Sequence, residues 1–224
     1  LRSDDNDTDG PQDVWSVGEM QIEWEGHPVT LQIVDEESRF PLGRLQAIPD
    51  REPGPEIAAA LVRLVERAGL PGPQRAVDHF LDWVDADQVR RPQGAEWGDY
   101  GSQPVKDGPL DSLVELEALP TWNQSPALPP PRRRAAPRLE EVQGLEPSRD
   151  LDLRVPEAAT VGATPTSRWS DWLSLYSNGT VNVNTAAPEL LLSLDPDLSE
   201  VTVQEILRRR QDEAFANSQD LGSV

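Results

Sequence analysis

Residues 82–101 read DWVDADQVRRPQGAEWGDYG and set Asp82, Asp85, Asp87, Glu96 and Asp99 in one short run beside Trp83, Trp97 and Tyr100. The run starts inside a helical pattern and leaves it through a turn at RRPQG. A helix C-terminus carries partial negative charge, so acids gathered there are unfavourable unless something positive sits among them. Calcium meets that need, taking about six to eight oxygens from carboxylates, carbonyls and water without cysteine or histidine. Arg90 and Arg91 meet it too, by neutralising the acids at the surface. Spacing does not choose between the two; if an ion is bound, Asp85, Asp87, Glu96 and Asp99 are its candidate ligands.

Upstream, PQRAVDHFLDWVDAD (73–87) predicts a helix whose inward stripe is Val77, Phe80, Leu81 and Val84, with Asp78, Asp82 and Asp85 largely outside it. Before it, EIAAALVRLVERAGL (56–70) repeats Ile57, Leu61, Leu64 and Val65 at helical spacing and stops at Gly69 before a proline. Downstream, GPLDSLVELEAL (108–119) predicts a third helix, N-capped by Asp111 with Glu115 near its first turn. Together they predict a small helical domain, opened by the breaker PDREPGPE (49–56).

Farther out, MQIEWEGHPVTLQIVD (20–35) alternates apolar and polar residues about EGHP, which predicts a hairpin with Ile22 and Trp24 near Leu31 and Ile33. Residues 123–149 are proline-rich without a period and read as a linker or exposed loop, its run Arg132–Arg134 being surface before it is an acidic-partner contact. The last unit starts with a short helix bearing Trp169, Trp172 and Leu173. A turn at Asn178–Gly179, a strand TVNVN (180–184) and two helices separated by DPDLS (195–199) follow.

The bulk properties narrow the function. The 224 residues suffice for one large or two small domains, and 37% hydrophobic content with 7 tryptophans argues for a packed chain, although 22 prolines demand long irregular connections. A net charge of -20 repels polyanions and disfavours nucleic acid as a partner. With no cysteine, and with only His27 in a turn and His79 in a helix, zinc-thiolate sites and histidine-based triads lack material. No apolar run reaches the ~20 residues that span a bilayer, and the first residues, LRSDDNDTDG, lack the basic and apolar regions of a signal peptide.

Other chemical patterns fall short. Asp5, Asp7, Asp9 and Gly10 open like a calcium loop, but Ser16 stands where such a loop needs its closing glutamate, leaving a solvated acidic turn. No nucleophile, base or phosphate-cradling glycine loop accompanies the acids, so an enzyme is not expected. NVNTAAPELLLSL and the helix after it have the outline of a helix-hairpin-helix nucleic-acid-binding module, kept as the alternative function. Its hairpin DPDLS offers two carboxylates and no glycine where phosphate would bind, and Arg208–Arg210 lie at the far end of the second helix. Trp15, Trp169 and Trp172 are candidate partner contacts, with buried core the favoured role for each.

In their joint order, LRSDDNDTDG at the start, IVDEESRFPLGRL (33–45), FLDWVDAD (80–87), GAEWGDY (94–100), GPLDSLVEL (108–116) and VNVNTAAPELL (181–191) resemble the type II secretion minor pseudopilin GspK family. The resemblance implies an α+β fold: a pseudopilin-like α/β domain with a large inserted α-domain and a helix-hairpin-helix-like C-terminal segment. The expected bounds are 1–49 for N-terminal pseudopilin strands, 50–122 for the inserted α-domain, 123–160 for the linker and 161–224 for the return to the pseudopilin-like domain. It also implies a non-catalytic tip subunit that joins GspI-like and GspJ-like minor pseudopilins, caps the periplasmic pseudopilus and helps to start it. A missing N-terminal hydrophobic helix would anchor that subunit in the bacterial inner membrane, which accounts for the abrupt start. Calcium binding in the inserted domain is implied as well, carried onto Asp85, Asp87, Glu96 and Asp99. Gln88 replaces a further acid of the family's run, EWGDYG is thinner in acids than its counterpart, RFPLGRL departs from the usual strand end, and further strands are expected after FANSQDLGSV.

Overall fold

Prolines and glycines punctuate the helices. Pro55 opens α1 (Pro55–Arg67), where its fixed φ and missing N–H cost nothing, and Pro73 opens α2 (Pro73–Val84) in the same way. Between them Gly69 takes φ 79, which lets Leu70 N reach back to Val65 O at 3.0 Å and turns the chain sharply. This computed structural model describes residues 8, 10, 11, 13–16, 19–24, 27–46, 54–101, 105–123 and 169–222. The expected acidic turn at Asp5–Asp9 and the linker with Arg132–Arg134 lie outside the described residues.

α1 buries Ala60, Leu61, Leu64 and Val65 on one face, as its spacing predicts. α2 differs from its prediction: every residue from Ala76 to Val84 is buried, Asp78 and Asp82 included. The apolar stripe faces α1 while the following loop folds back over the acids, so the helix is covered on both sides.

The expected third helix is a short 3-10 segment, Leu113–Ala118, bracketed by Pro109 and Pro120. Its N-cap is Ser112 rather than Asp111, and Glu115 closes a capping box by accepting Ser112 N at 3.0 Å. Trp122 follows, buried against Phe80 and Trp169, its indole N–H donating to Ala76 O at 2.8 Å.

Strands β1 (Glu19–Trp24) and β2 (His27–Gln32) form the predicted antiparallel hairpin in a different register. Leu31 pairs with Met20 and Val29 with Ile22, Ile33 lies past the ladder, and His27 starts β2 instead of sitting in the turn. Every residue of β2 is exposed. A second, parallel sheet joins β3 (Phe40–Pro41) to β4 (Leu173–Ser174), with Phe40 N donating to Trp172 O at 2.8 Å. The expected short helix at Trp169 is one 3-10 turn, Trp169–Asp171, and Leu173 already belongs to β4.

TVNVN is not a strand, because its asparagines bond locally. Asn182 Oδ1 accepts Asn184 N at 3.0 Å and Asn182 O accepts Ala186 N at 2.9 Å, closing a turn where the valine alternation suggested a ladder. Asp35 ties that turn to the N-terminal half by accepting from Asn182 Nδ2 at 3.0 Å and from Thr185 Oγ1 at 2.5 Å. α3 (Pro188–Leu194) follows and packs on α1 and on α4 (Glu200–Asp212). It is gripped at both ends. Arg63 of α1 donates to Ser193 O and Leu194 O, and Arg210 of α4 donates to Val183 O and Ala186 O. A last turn, α5 (Ser218–Leu221), closes the described chain. Buried apolar residues from Phe40 to Phe215 form one contiguous cluster.

Candidate metal centre

α2 gives way at Asp85, whose N–H still donates to Leu81 O at 3.1 Å while its backbone is already extended. The loop that follows brings Asp85, Asp87 and Glu96 together, one carboxylate oxygen from each lying within 4.8 Å of the others. Asp99, the fourth residue singled out by sequence, does not join them. Its Oδ2 accepts Glu96 N at 2.9 Å and it faces Arg90 at 3.4 Å, an exposed pair. The Glu96 amide, followed by Arg90, holds the Asp99 carboxyl below its usual range.

The three carboxylates differ. Asp87 is exposed and caps Val89 N at 2.6 Å. Asp85 gives Oδ2 to Arg91, while its buried Oδ1 has no hydrogen-bond partner. Burial raises its pKa, with Arg91 pulling the other way and Asp87 and Asp82 adding to the rise. Glu96 is only 6% exposed, and neither of its carboxylate oxygens has a hydrogen-bond partner. Burial first, then the charges of Asp82, Asp85, Asp107 and Asp87, push its carboxyl up to about 7. A buried acid with two unused oxygens is costly unless it takes a proton or meets a cation.

Arg91 supplies part of the compensation. Its Nη1 lies 2.6 Å from Asp82 Oδ1 and also bonds Asp85 Oδ2. Burial works against the guanidinium charge, but the hydrogen bonds that it donates to Asp85 and Asp82 outweigh it and hold the pKa above its usual value. The guanidinium thus pairs with Asp82 and Asp85, while both oxygens of Glu96 stay without a hydrogen-bond partner. Both remedies for the acids, arginine and ion, therefore have a place: Arg91 serves Asp82 and half of Asp85, and the remaining oxygens are all-oxygen donors of the kind a hard cation takes. The residues present fit calcium.

Sequence reasoning missed the residues that hold the loop. Asp78 Oδ2 accepts Gln93 N at 3.1 Å, Asp82 Oδ2 accepts Arg91 N at 3.2 Å, and a Cβ on Gly94 would lie 1.8 Å from Asp82 Oδ2. The signal was present as two aspartates one helical turn apart with a glycine beyond them. Tyr100 packs edge-on against Trp83 and His79, and His79 is a buried helix residue whose Nε2 accepts from Arg75. Trp169 and Trp172 are buried and Trp15 is half-buried; the exposed tryptophans among the described residues are Trp24 and Trp97.

Residues 38–130 and 181–223 match two family profiles that carry one description, Type II secretion system (T2SS), protein K. The chain belongs to the type II secretion system protein K family. Its members are pseudopilins, structural subunits of that system. A similar fold is found in the crystal structure of the GspK-GspI-GspJ complex from the enterotoxigenic Escherichia coli type 2 secretion system. One chain there matches with a TM-score of 0.62 and 14% identity over 98% of this chain. At that identity the likeness is one of fold, and this protein K chain spans 66% of the length of its counterpart. No curated protein matches it in sequence. No helix among the described residues is long and apolar enough to cross a membrane.

Proposed function

We propose that this chain is the periplasmic part of a minor pseudopilin, a non-catalytic subunit that assembles with GspI-like and GspJ-like partners to cap the pseudopilus and start its growth during protein export. The paired family matches over 38–130 and 181–223 carry this reading, supported by a fold likeness to a protein solved in such a complex. An N-terminal hydrophobic helix would hold the subunit in the inner membrane. Residues 50–122, with α1 and α2, would form the inserted α-domain, and α3 with α4 the helix-hairpin-helix-like unit.

The nucleic-acid alternative finds no support in the arginines it needs. Arg208 pairs with Glu205 at 2.7 Å, Arg209 lies over the Phe215 ring and Arg210 points into the carbonyls before α3. A mixing experiment tests the assembly reading. Combined with the soluble parts of the GspI-like and GspJ-like subunits from the same system, the chain should co-elute as a ternary species in size-exclusion chromatography. Separate elution of all three at tens of micromolar would overturn it.

Calcium is proposed as the ion of the metal centre, held by Asp85, Asp87 and Glu96 with backbone carbonyls and water completing its shell. It would offset the charge that Arg91 leaves uncompensated and fix the loop against α2. Calorimetric titration of chelator-treated protein should give saturable heat that an Asp85→Asn, Glu96→Gln double variant loses. Equal heats from both proteins would place the ion elsewhere.

A further inference from the structure

We propose that Arg91 is a positioning residue for the cation site, a tethered positive charge that, with Asp78 and Asp82, folds the 85–96 loop into its ion-ready shape before an ion arrives. The inference rests on the reading of Asp85, Asp87 and Glu96 as a cation site. It makes that site preformed instead of ion-made.

The geometry is one of buried carboxylates holding a turn. Asp82 is fully buried, and it accepts both the backbone N–H of Arg91 at 3.2 Å and the same residue's Nη1 at 2.6 Å. Asp78, one helical turn earlier, is also buried; it accepts Gln93 N at 3.1 Å through one oxygen and Gln74 Nε2 at 2.8 Å through the other. Gly94 N closes the turn on Arg91 O at 3.0 Å, and the missing Cβ at Gly94 is what lets the backbone lie against the Asp82 carboxylate. Two residues on, Glu96 is delivered into its buried position. Each of these contacts is made between groups of the chain itself.

The same guanidinium also decides how Asp85 is presented. By taking Oδ2 it leaves Oδ1, buried and without a partner, as the oxygen available to an ion beside Asp87 and Glu96. A bare Asp82 carboxylate in that interior would be strongly unfavourable, so the arginine cannot be spared even while the ion is absent. A loop held by these contacts would cost an arriving ion little of its binding energy to order.

Hydrogen exchange at the amides of Arg91, Gln93 and Gly94, read in chelator and in calcium, tests this on the folded chain. In the wild type these amides should be protected in chelator, with calcium adding little. In Arg91→Gln, protection should be lost in chelator and largely regained in calcium, with affinity down by about tenfold or more. Arg91→Lys should fall between. Free exchange of the wild-type amides in chelator would overturn the proposal even if the variants failed to fold, because the loop would then be made by the ion. Wild-type protection and affinity in Arg91→Gln would overturn it as well. If calcium does not bind but protection still depends on Arg91, the cation-site reading fails while the role of Arg91 in folding the loop stands.

Discussion

The 85–99 loop and the β1–β2 hairpin invert the usual relation between regular structure and anchorage. The loop has no helix or strand, yet buried carboxylates grip its backbone and Glu96 is nearly sealed from water. The hairpin has a full antiparallel ladder, yet all of β2 is exposed, and Trp24, Val29, Leu31 and Ile33 are all exposed large apolar residues. A ladder satisfies its own hydrogen bonds, but a two-stranded sheet gains little net stability without a buried face. Burial with satisfied polar groups fixes a segment, and regularity alone does not. The loop should therefore be sensitive to single substitutions in the isolated chain, and the hairpin insensitive.

The strongest break of that contrast is at Asp82. Asp82→Ala removes the acceptor for Arg91 N and takes from the guanidinium, whose side chain is 21% exposed, the Asp82 half of its pairing with Asp82 and Asp85. Breaking a buried pair from one side costs about 3–5 kcal/mol, and chemical denaturation of the chelator-treated protein should show a loss in that range. A loss under ~1 kcal/mol would mean that the loop is not held from α2 and that the contrast with the hairpin fails.

Glu96 gives the next effect, with a sign set by pH. Its folded pKa, about 7, lies above the usual 4.5, so the metal-free fold binds this proton more tightly than the unfolded chain does. That contribution is complete below about 4.5 and is lost as pH rises through about 7, so the metal-free protein should weaken by about 2–3 kcal/mol across that window. Glu96→Gln should lack most of this slope and be the more stable of the two at pH 8 in chelator. In calcium the order should reverse, since only the glutamate offers two anionic oxygens. Parallel denaturation curves for both proteins between pH 5 and 8 would remove Glu96 as the strained member of the site.

What was legible in the sequence followed the same division. α1 and α2 could be read because a 3.6-residue apolar repeat between proline and glycine stops is a local signal. The acids of α2 were misplaced because such a repeat shows where the apolar stripe faces and says nothing of a loop that returns over the other side. Asp85, Asp87 and Glu96 were visible as candidates by type and spacing. That Asp99 serves a turn and Asp82 a guanidinium depends on how 91–99 closes, which no local period encodes. The β3–β4 pair was invisible for a related reason: two residues on each strand, far apart in sequence, carry no alternation. TVNVN erred the opposite way, since its valines alternate while its asparagines bond their own backbone.

The smallest effect on the isolated chain is expected at Trp24, and it sharpens the comparison most. The side chain closes the hairpin opposite His27 and is 66% exposed, so Trp24→Ser should change unfolding free energy by no more than about 0.5 kcal/mol. An exposed apolar row on a marginal hairpin is the kind of surface that an assembly subunit covers on binding, and large aromatic residues dominate such contacts. The same substitution should then weaken co-elution with the GspI-like and GspJ-like subunits by about tenfold or more in apparent affinity, an effect of at least ~1.4 kcal/mol. Unchanged assembly would assign the partner surface elsewhere, with exposed Trp97 on the 85–99 loop the next residue to substitute. Lost stability without partners would show instead that the hairpin is anchored within the chain, and the contrast with the loop would be one of degree.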